Sequence, residues 1–354
     1  MEPSMMKAAV LRGPQDLAVL DIPIPQTGPG ERLVKVAACG ICGSDLRYYE
    51  GENPWAKHTL GYEKPNPPNM VLGHEVAGYI DGKLVSMLAF RGCGKCTECR
   101  RGQVQLCANT AHLGHGAGWE GLAYNPGGMA QWCPIWEEHL YPLPEGLSAA
   151  EGTFLDGLGV AVHAVRRATM FPGSEFLILG AGPIGLSILG AAKALGAGRA
   201  WVVDVYQVAL DCARELGAEE VCAVDGAHYA DLAQAIRAQT GGRGVDSVFE
   251  TTGNLAAQEF VLSVLARGGC LTLMAGAAPG LALSEASLAG ERRITTSSNN
   301  LYEEYQIGLE LLGLGKVRVG PMITHRFPLE EAPRAFEVAR DKWNTGALKV
   351  VLEP

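Results

Sequence analysis

The sequence predicts a two-domain α/β protein, in which a barrel-like, β-rich domain is joined to a doubly wound parallel sheet. Three observations predict it. The chain has 354 residues, more than one hydrophobic core usually serves, and its 47% apolar content can fill two. From Met5 to about Leu155 it is rich in Gly and Pro, with short β-branched runs such as Leu33 to Ala37 and Val76 to Ile80 between turns, the texture of antiparallel barrel-like structure. From Asp156 onward, apolar runs of strand length alternate with helical periodicity, which calls for parallel strands and crossover helices.

In order, Phe176 to Gly180, Ala200 to Val205, Val221 to Asp225, Val245 to Glu250 and Cys270 to Ala275 read as strands. Helical patterns fall between them near Ile184 to Leu195, Gln207 to Leu216, Tyr229 to Ala238 and Ala256 to Ala266. After about Arg293 the alternation breaks, and Ile294 to Pro354 reads as helix and strand returning to the first domain. The division is therefore 1–155 with 294–354, and 156–293. The sequence carries no internal repeat and no low-complexity segment.

Charge limits the partners. The formal net charge is -9, the pI is near 5.5, and the 29 Lys and Arg residues form no block that could track phosphates, so nucleic acid is not expected. The start, MEPSMMKAAVLRG, is too soon interrupted by charge for a signal peptide, and no apolar run reaches bilayer length. A soluble cytoplasmic protein with no membrane partner is expected. Its ten cysteines, clustered at metal spacing without a secretion signal, point to thiols and metal rather than disulfides.

Cys93, Cys96, Cys99 and Cys107 read C-x2-C-x2-C-x7-C. Four thiolates so close can close a tetrahedron around one zinc ion and leave no position for a substrate, so this is a structural site. Iron–sulfur ligation would want a second cysteine set or a Cys-Pro ending, and neither is present.

Gly180-Ala181-Gly182-Pro183-Ile184-Gly185 is a G-x-G-x-x-G that follows a strand and opens a helix. In that context the glycines allow a tight turn, close approach to a pyrophosphate and close helix–strand packing, with helix N–H groups free for the phosphates. Asp204 ends the next strand, 19 residues past Gly185, where a carboxylate accepts from ribose hydroxyls and repels a 2′-phosphate. NAD is therefore favoured over NADP. The later turns Thr251-Thr252-Gly253 and Ala275-Gly276 fall at strand carboxyl ends, on the nicotinamide side.

A second metal constellation precedes the cysteine run: Cys42-Gly43-Ser44-Asp45 and Gly73-His74-Glu75. Zinc held by Cys42, His74 and one further ligand keeps a position open for an alcohol, and lowers the pKa of a bound hydroxyl. Ser44 can take the alcohol's proton, and Asp45 can bond the outer nitrogen of His74.

With these motifs in order, and with L-D-G-L-G-V-A-V-H-A at 155–164, the chain resembles the zinc-dependent medium-chain dehydrogenase superfamily, in its alcohol, sorbitol and threonine branches. The resemblance implies a GroES-like catalytic domain made of both chain ends, a central Rossmann domain, an active site in the cleft between them, two zinc ions and a homodimer or homotetramer. It implies that Cys42 and His74 are catalytic zinc ligands, with Glu75 or Asp156 the third. It departs at Arg47, where many relatives carry a histidine that passes the proton outward; arginine stays protonated and cannot cycle one. Asp156-Gly157 also stands where the polyol branch usually has Glu-Pro, and the stretch between His74 and Cys93 is shorter than typical.

The expected activity is NAD-dependent oxidation of a secondary alcohol (polyol, sugar or amino alcohol) to a ketone; the alternative is a catalytically silent, zinc-stabilised nucleotide-binding scaffold or sensor. Cys39 makes a C-x-x-C with Cys42, but reads better as a buried strand residue than as half of a redox pair. His163 reads as a packing residue. Tyr48, Tyr49, Trp55 and Trp119 suit either a substrate wall or packing. Cys133, Cys212, Cys222 and Cys270 read as free buried thiols.

Overall fold

The computed structural model describes residues 4–119, 121–168, 170–224, 228–275 and 284–354. The chain forms two compact units. The first comprises Met1–Asp156, Leu301–Leu309 and Met322–Pro354, and the second Gly157–Asn300 and Glu310–Pro321.

The first unit is built on a seven-stranded sheet. Its central strand is Glu31–Gly40, in which Val34 and Val36 face the core, Lys35 faces solvent, and Ala38, Cys39 and Gly40 are all buried. That change from alternation to continuous burial marks the end of the strand that is covered on both faces. Glu75–Ile80 pairs antiparallel with it, setting Gly40 opposite Glu75 and Cys39 opposite Val76. On its other side Lys349–Glu353 pairs antiparallel, with Val351 opposite Gly40, and itself runs parallel to Ile323–Pro328. The last strand of the chain thus lies beside one of the first. Below the sheet, Tyr48, Met70, Leu72, Met87, Trp136 and Phe336 are fully buried in one core.

The second unit is a parallel six-stranded sheet in the order Glu220–Ala223, Ala200–Asp204, Phe176–Leu179, Val245–Glu250, Leu265–Leu273, Arg293–Thr296. Numbered along the chain that is 3-2-1-4-5-6, and the strand order reverses at Phe176–Leu179, where such sheets bind their ligands. The crossover helices are Pro183–Ala194, Gln207–Glu215, Tyr229–Gln239 and Leu255–Val264. Leu177, Trp201 and Val203 of the strands, with Ile236 and Val261 of the helices, make a core of their own.

Two elements differ from the sequence expectation. Leu265–Leu273 starts five residues before Cys270, because Leu265 already pairs with Val245 and Arg267-Gly268-Gly269 forms an irregularity inside the strand rather than a turn before it. Arg293–Thr296 is a sixth strand of the parallel sheet, although the alternation had ended there by sequence. The expected end of the third strand at Asp225 lies outside the described residues, as does Gly276. Among the described residues no helix is long and apolar enough to cross a membrane.

Candidate active site

The first unit gathers Cys42, His74 and Glu75. Cys42 leaves the strand Glu31–Gly40 and caps the helix Gly43–Tyr49 in an extended conformation. Asp45, in the first turn of that helix, is fully buried and accepts from two backbone N–H groups: Cys42 at 2.8 Å and Gly73 at 3.2 Å. One carboxylate therefore ties the thiolate segment to the imidazole segment. The result brings one ligand atom each of Cys42, His74 and Glu75 within 4.8 Å of one another. A thiolate, an imidazole and a carboxylate so grouped fit a zinc ion that keeps a further position open.

The bond expected between Asp45 and His74 is not formed. Asp45 Oδ1 lies 3.7 Å from His74 Nδ1, beyond hydrogen-bond reach, because both carboxylate oxygens are turned to backbone donors. His115 Nε2 is nearer, at 3.2 Å. Burial alone would strip the charge from His74, but the surrounding Asp45, Cys42 and Asp156 outweigh it and hold the imidazole well above its ordinary value.

Glu75 has a second attachment. Its Oε2 lies 2.5 Å from Lys349 Nζ, both side chains 4% exposed, and the same ammonium reaches Ile41 O at 3.4 Å. A Cβ at position 40 would lie 2.3 Å from that oxygen, so the glycine opposite Glu75 makes room for the carboxylate. Asp156 sits in the first turn of helix Leu155–Arg167. It is partly buried, and its carboxyl is pushed up to about 6, chiefly by desolvation, with His74 pulling it down and Glu75 pushing it up. It shares the field of the cluster but stands outside the close trio.

Ser44 Oγ is buried and meets no hydrogen-bond partner among the described residues. Arg47 Nη2 lies 3.5 Å from His58 Nε2, and burial followed by the Arg47 charge pulls that imidazole down. Tyr48 donates to Asn53 Oδ1 at 3.3 Å, while Tyr49 packs on Phe336 beneath Arg340. Trp119 stacks on Trp136 at 5.1 Å; its indole nitrogen and that of Trp55 are buried without a partner among the described residues. Sequence reasoning passed over Lys349, His58, His112 and His115. Only His112 and His115 left a signal, a pair of histidines three apart soon after Cys107.

The four-cysteine run closes on itself. All four sulfurs lie within 4.8 Å of one another, and Cys96 Sγ is 3.7 Å from Cys107 Sγ. Zinc–sulfur bonds of about 2.3 Å in a tetrahedron set sulfur–sulfur edges of about 3.8 Å, so the cage fits. Backbone N–H groups of Lys95 and Cys96 pull the Cys93 thiol down to about 6, whereas desolvation and neighbouring thiols push Cys96 and Cys99 up, so Cys93 gives up its proton before those two. Cys39 is buried in its strand, with burial pushing its thiol up, as a packing residue requires. Cys133, Cys212 and Cys270 are buried free thiols, whereas Cys222, in the edge strand Glu220–Ala223, is free but only partly buried; His163 is buried in the helix Leu155–Arg167.

In the second unit the glycine loop turns between Phe176–Leu179 and Pro183–Ala194, with Gly180 at φ +97°. Gly182 is the N-cap, Pro183 opens the helix, and Ile184 follows. A Cβ on Gly185 would lie 1.9 Å from Gly180 O, so helix and loop touch backbone to backbone. Asp204 stands at the end of its strand and accepts from Ala181 N at 2.6 Å and Tyr206 N at 2.9 Å, which fixes its carboxylate beside the loop. Beyond the neighbouring strand, the buried Glu250 accepts from the N–H groups of Thr252 and Gly253 and shapes the Thr-Thr-Gly turn.

Residues 28–145 match the alcohol dehydrogenase GroES-like domain, and residues 183–313 match the zinc-binding dehydrogenase family. The chain is 31% identical to a sorbitol dehydrogenase of Bacillus subtilis, over 99% of this chain and 98% of that one. It is also 31% identical to an L-idonate 5-dehydrogenase of Vitis vinifera, over 97% and 93%. Among solved structures it resembles an alcohol dehydrogenase of Thermus sp. ATN1 at 28% identity and a TM-score of 0.83, over 98% and 99% of the two chains. With both domain families matched in order and the relatives aligned end to end, the chain belongs to the zinc-dependent medium-chain dehydrogenase superfamily, whose cofactors are zinc and a nicotinamide dinucleotide.

Proposed function

We propose that the protein oxidises a secondary alcohol of a polyol or sugar to a ketone, with Cys42 and His74 holding the catalytic zinc and Glu75 or Asp156 completing its ligands. The observation that carries this reading is the trio of ligand atoms within 4.8 Å, beside a serine hydroxyl that is buried and has no partner among the described residues. When bound, zinc supplies Lewis-acid polarisation of the substrate hydroxyl, and NAD supplies the hydride acceptor. Ser44 Oγ would accept the substrate hydroxyl proton while passing its own proton on to water or a cofactor ribose hydroxyl, as the first carrier of a relay. Arg47 keeps its own proton and serves as a fixed positive charge beside His58. Glycines 180, 182 and 185, with Pro183 and Ile184, cradle the pyrophosphate, and Asp204 accepts from the ribose. Cys93, Cys96, Cys99 and Cys107 hold a structural zinc. The polyol class follows from resemblance to sorbitol and idonate dehydrogenases, ahead of amino alcohols and simple secondary alcohols. A homodimer or homotetramer in the cytoplasm goes with this reading, and sedimentation tests its assembly.

A panel of polyols, sugars and amino alcohols with NAD, followed at the absorbance of the reduced cofactor with and without chelator, tests the activity. Turnover of polyols that chelation abolishes is expected. Cys42→Ser should lose it while keeping the fold and one zinc. No turnover of any alcohol by protein carrying two zinc ions would favour the silent scaffold instead.

A further inference from the structure

The geometry around His74 points to a residue that the motif pattern does not contain. We propose that His115 is a positioning residue for His74: its Nε2 accepts the Nδ1–H of His74 and keeps the other ring nitrogen turned toward Cys42 and Glu75. The inference rests on reading Cys42, His74 and Glu75 as ligands of one metal.

A histidine that ligates through Nε2 carries its proton on Nδ1, and that proton needs an acceptor to fix tautomer and ring angle. Two groups face it, His115 Nε2 at 3.2 Å and Asp45 Oδ1 at 3.7 Å. Asp45 Oδ1 lies beyond hydrogen-bond reach while its carboxylate is held by the N–H groups of Cys42 and Gly73, so the nearer nitrogen is the acceptor. His115 is itself held. Its ring stacks on His112 at 3.9 Å and 6°, and Tyr48 covers it at 5.2 Å. His112 is anchored in turn, with Nδ1 3.0 Å from Leu113 O. As acceptor at Nε2, His115 keeps its own proton on Nδ1, a buried atom with no partner among the described residues. Leaving a polar atom so costs stability, and a phenylalanine would fill the same stack without that cost. The penalty is explained if the nitrogen facing His74 is needed.

The test compares His115→Phe, which keeps the stack and removes the acceptor, with His115→Gln, whose amide oxygen can restore it. Zinc affinity is measured on the full chain by competition with a chromophoric chelator, the four-cysteine site serving as internal reference. Loss of an outer partner of a ligating histidine lowers metal affinity by about 10–100-fold. That loss is expected for His115→Phe at one of two sites, with most of it regained in His115→Gln. Wild-type affinity in His115→Phe overturns the proposal, whereas wild-type protein that binds only one zinc overturns the ligand reading beneath it. Nitrogen NMR of the unaltered, zinc-loaded protein labelled at histidine gives a second readout, independent of how the variants fold. It should find His74 protonated at Nδ1 and coupled to His115 across the hydrogen bond; a His74 protonated at Nε2, or no coupling, also overturns the proposal.

Discussion

Replacing Lys349 with methionine isolates the buried pair behind the metal cluster. The ammonium and the Glu75 carboxylate meet at 2.5 Å with both side chains 4% exposed, so little solvent screens them. Methionine keeps the length of the stem and removes the charge, which leaves a buried carboxylate without its cation. Breaking such a pair from one side costs about 3–5 kcal/mol, against a typical folding stability of about 5–15 kcal/mol. Urea unfolding of the metal-free protein, followed by tryptophan fluorescence, should record a loss in that range. Zinc should reduce the loss, because Glu75 stays within ligand distance of Cys42 and His74. In a double-mutant cycle with Glu75→Gln, the pair of changes should cost less than the sum of the two by about 2–3 kcal/mol. A single loss below about 1 kcal/mol, the worth of an exposed pair, or strict additivity in the cycle, would refute the reasoning.

Gly185→Ala should weaken NAD binding at least tenfold, on the order of 1.4 kcal/mol, because the new methyl would press on Gly180 O and open the loop; unchanged affinity by calorimetric titration counts against that packing. Asp204→Ala should shift the ratio of kcat/KM values from NAD toward NADP, and a ratio that stays put would displace the ribose from this carboxylate. Asp156, pushed up to about 6 from an ordinary 3.8, stabilises the metal-free fold fully below the unfolded value and loses that contribution as pH rises through the folded one. The difference is worth about 3 kcal/mol. Unfolding free energy should therefore fall between about pH 4 and pH 6.5 in the metal-free protein, and in Asp156→Asn the fall should shrink by that amount; equal slopes would contradict it.

The legible parts of the chain were those whose chemistry is local. The six-residue glycine loop, the cysteine spacing and the pairs Cys42–Ser44 and His74–Glu75 each occupy a few consecutive positions, so composition and spacing alone pointed to dinucleotide and metal chemistry. A strand covered on both faces, such as Phe176–Leu179, is a continuous apolar run and reads plainly. Arg293–Thr296 did not, because a four-residue edge strand bearing one charge and two threonines carries little pattern.

What the sequence determined by itself was the class of protein and the roster of metal-binding and cofactor-binding motifs. Only the tertiary structure decided how those side chains are held. Lys349 reaches Glu75 across 274 positions of sequence because the final strand pairs beside Gly40, and His115 reaches His74 across 41 because the turn after the strand Ala111–His112 brings its ring beside that imidazole. Spacing along a chain records neighbours within a turn or a strand. The partners that set a ligand's tautomer, charge and orientation come from elsewhere in the chain, and packing alone brings them into contact.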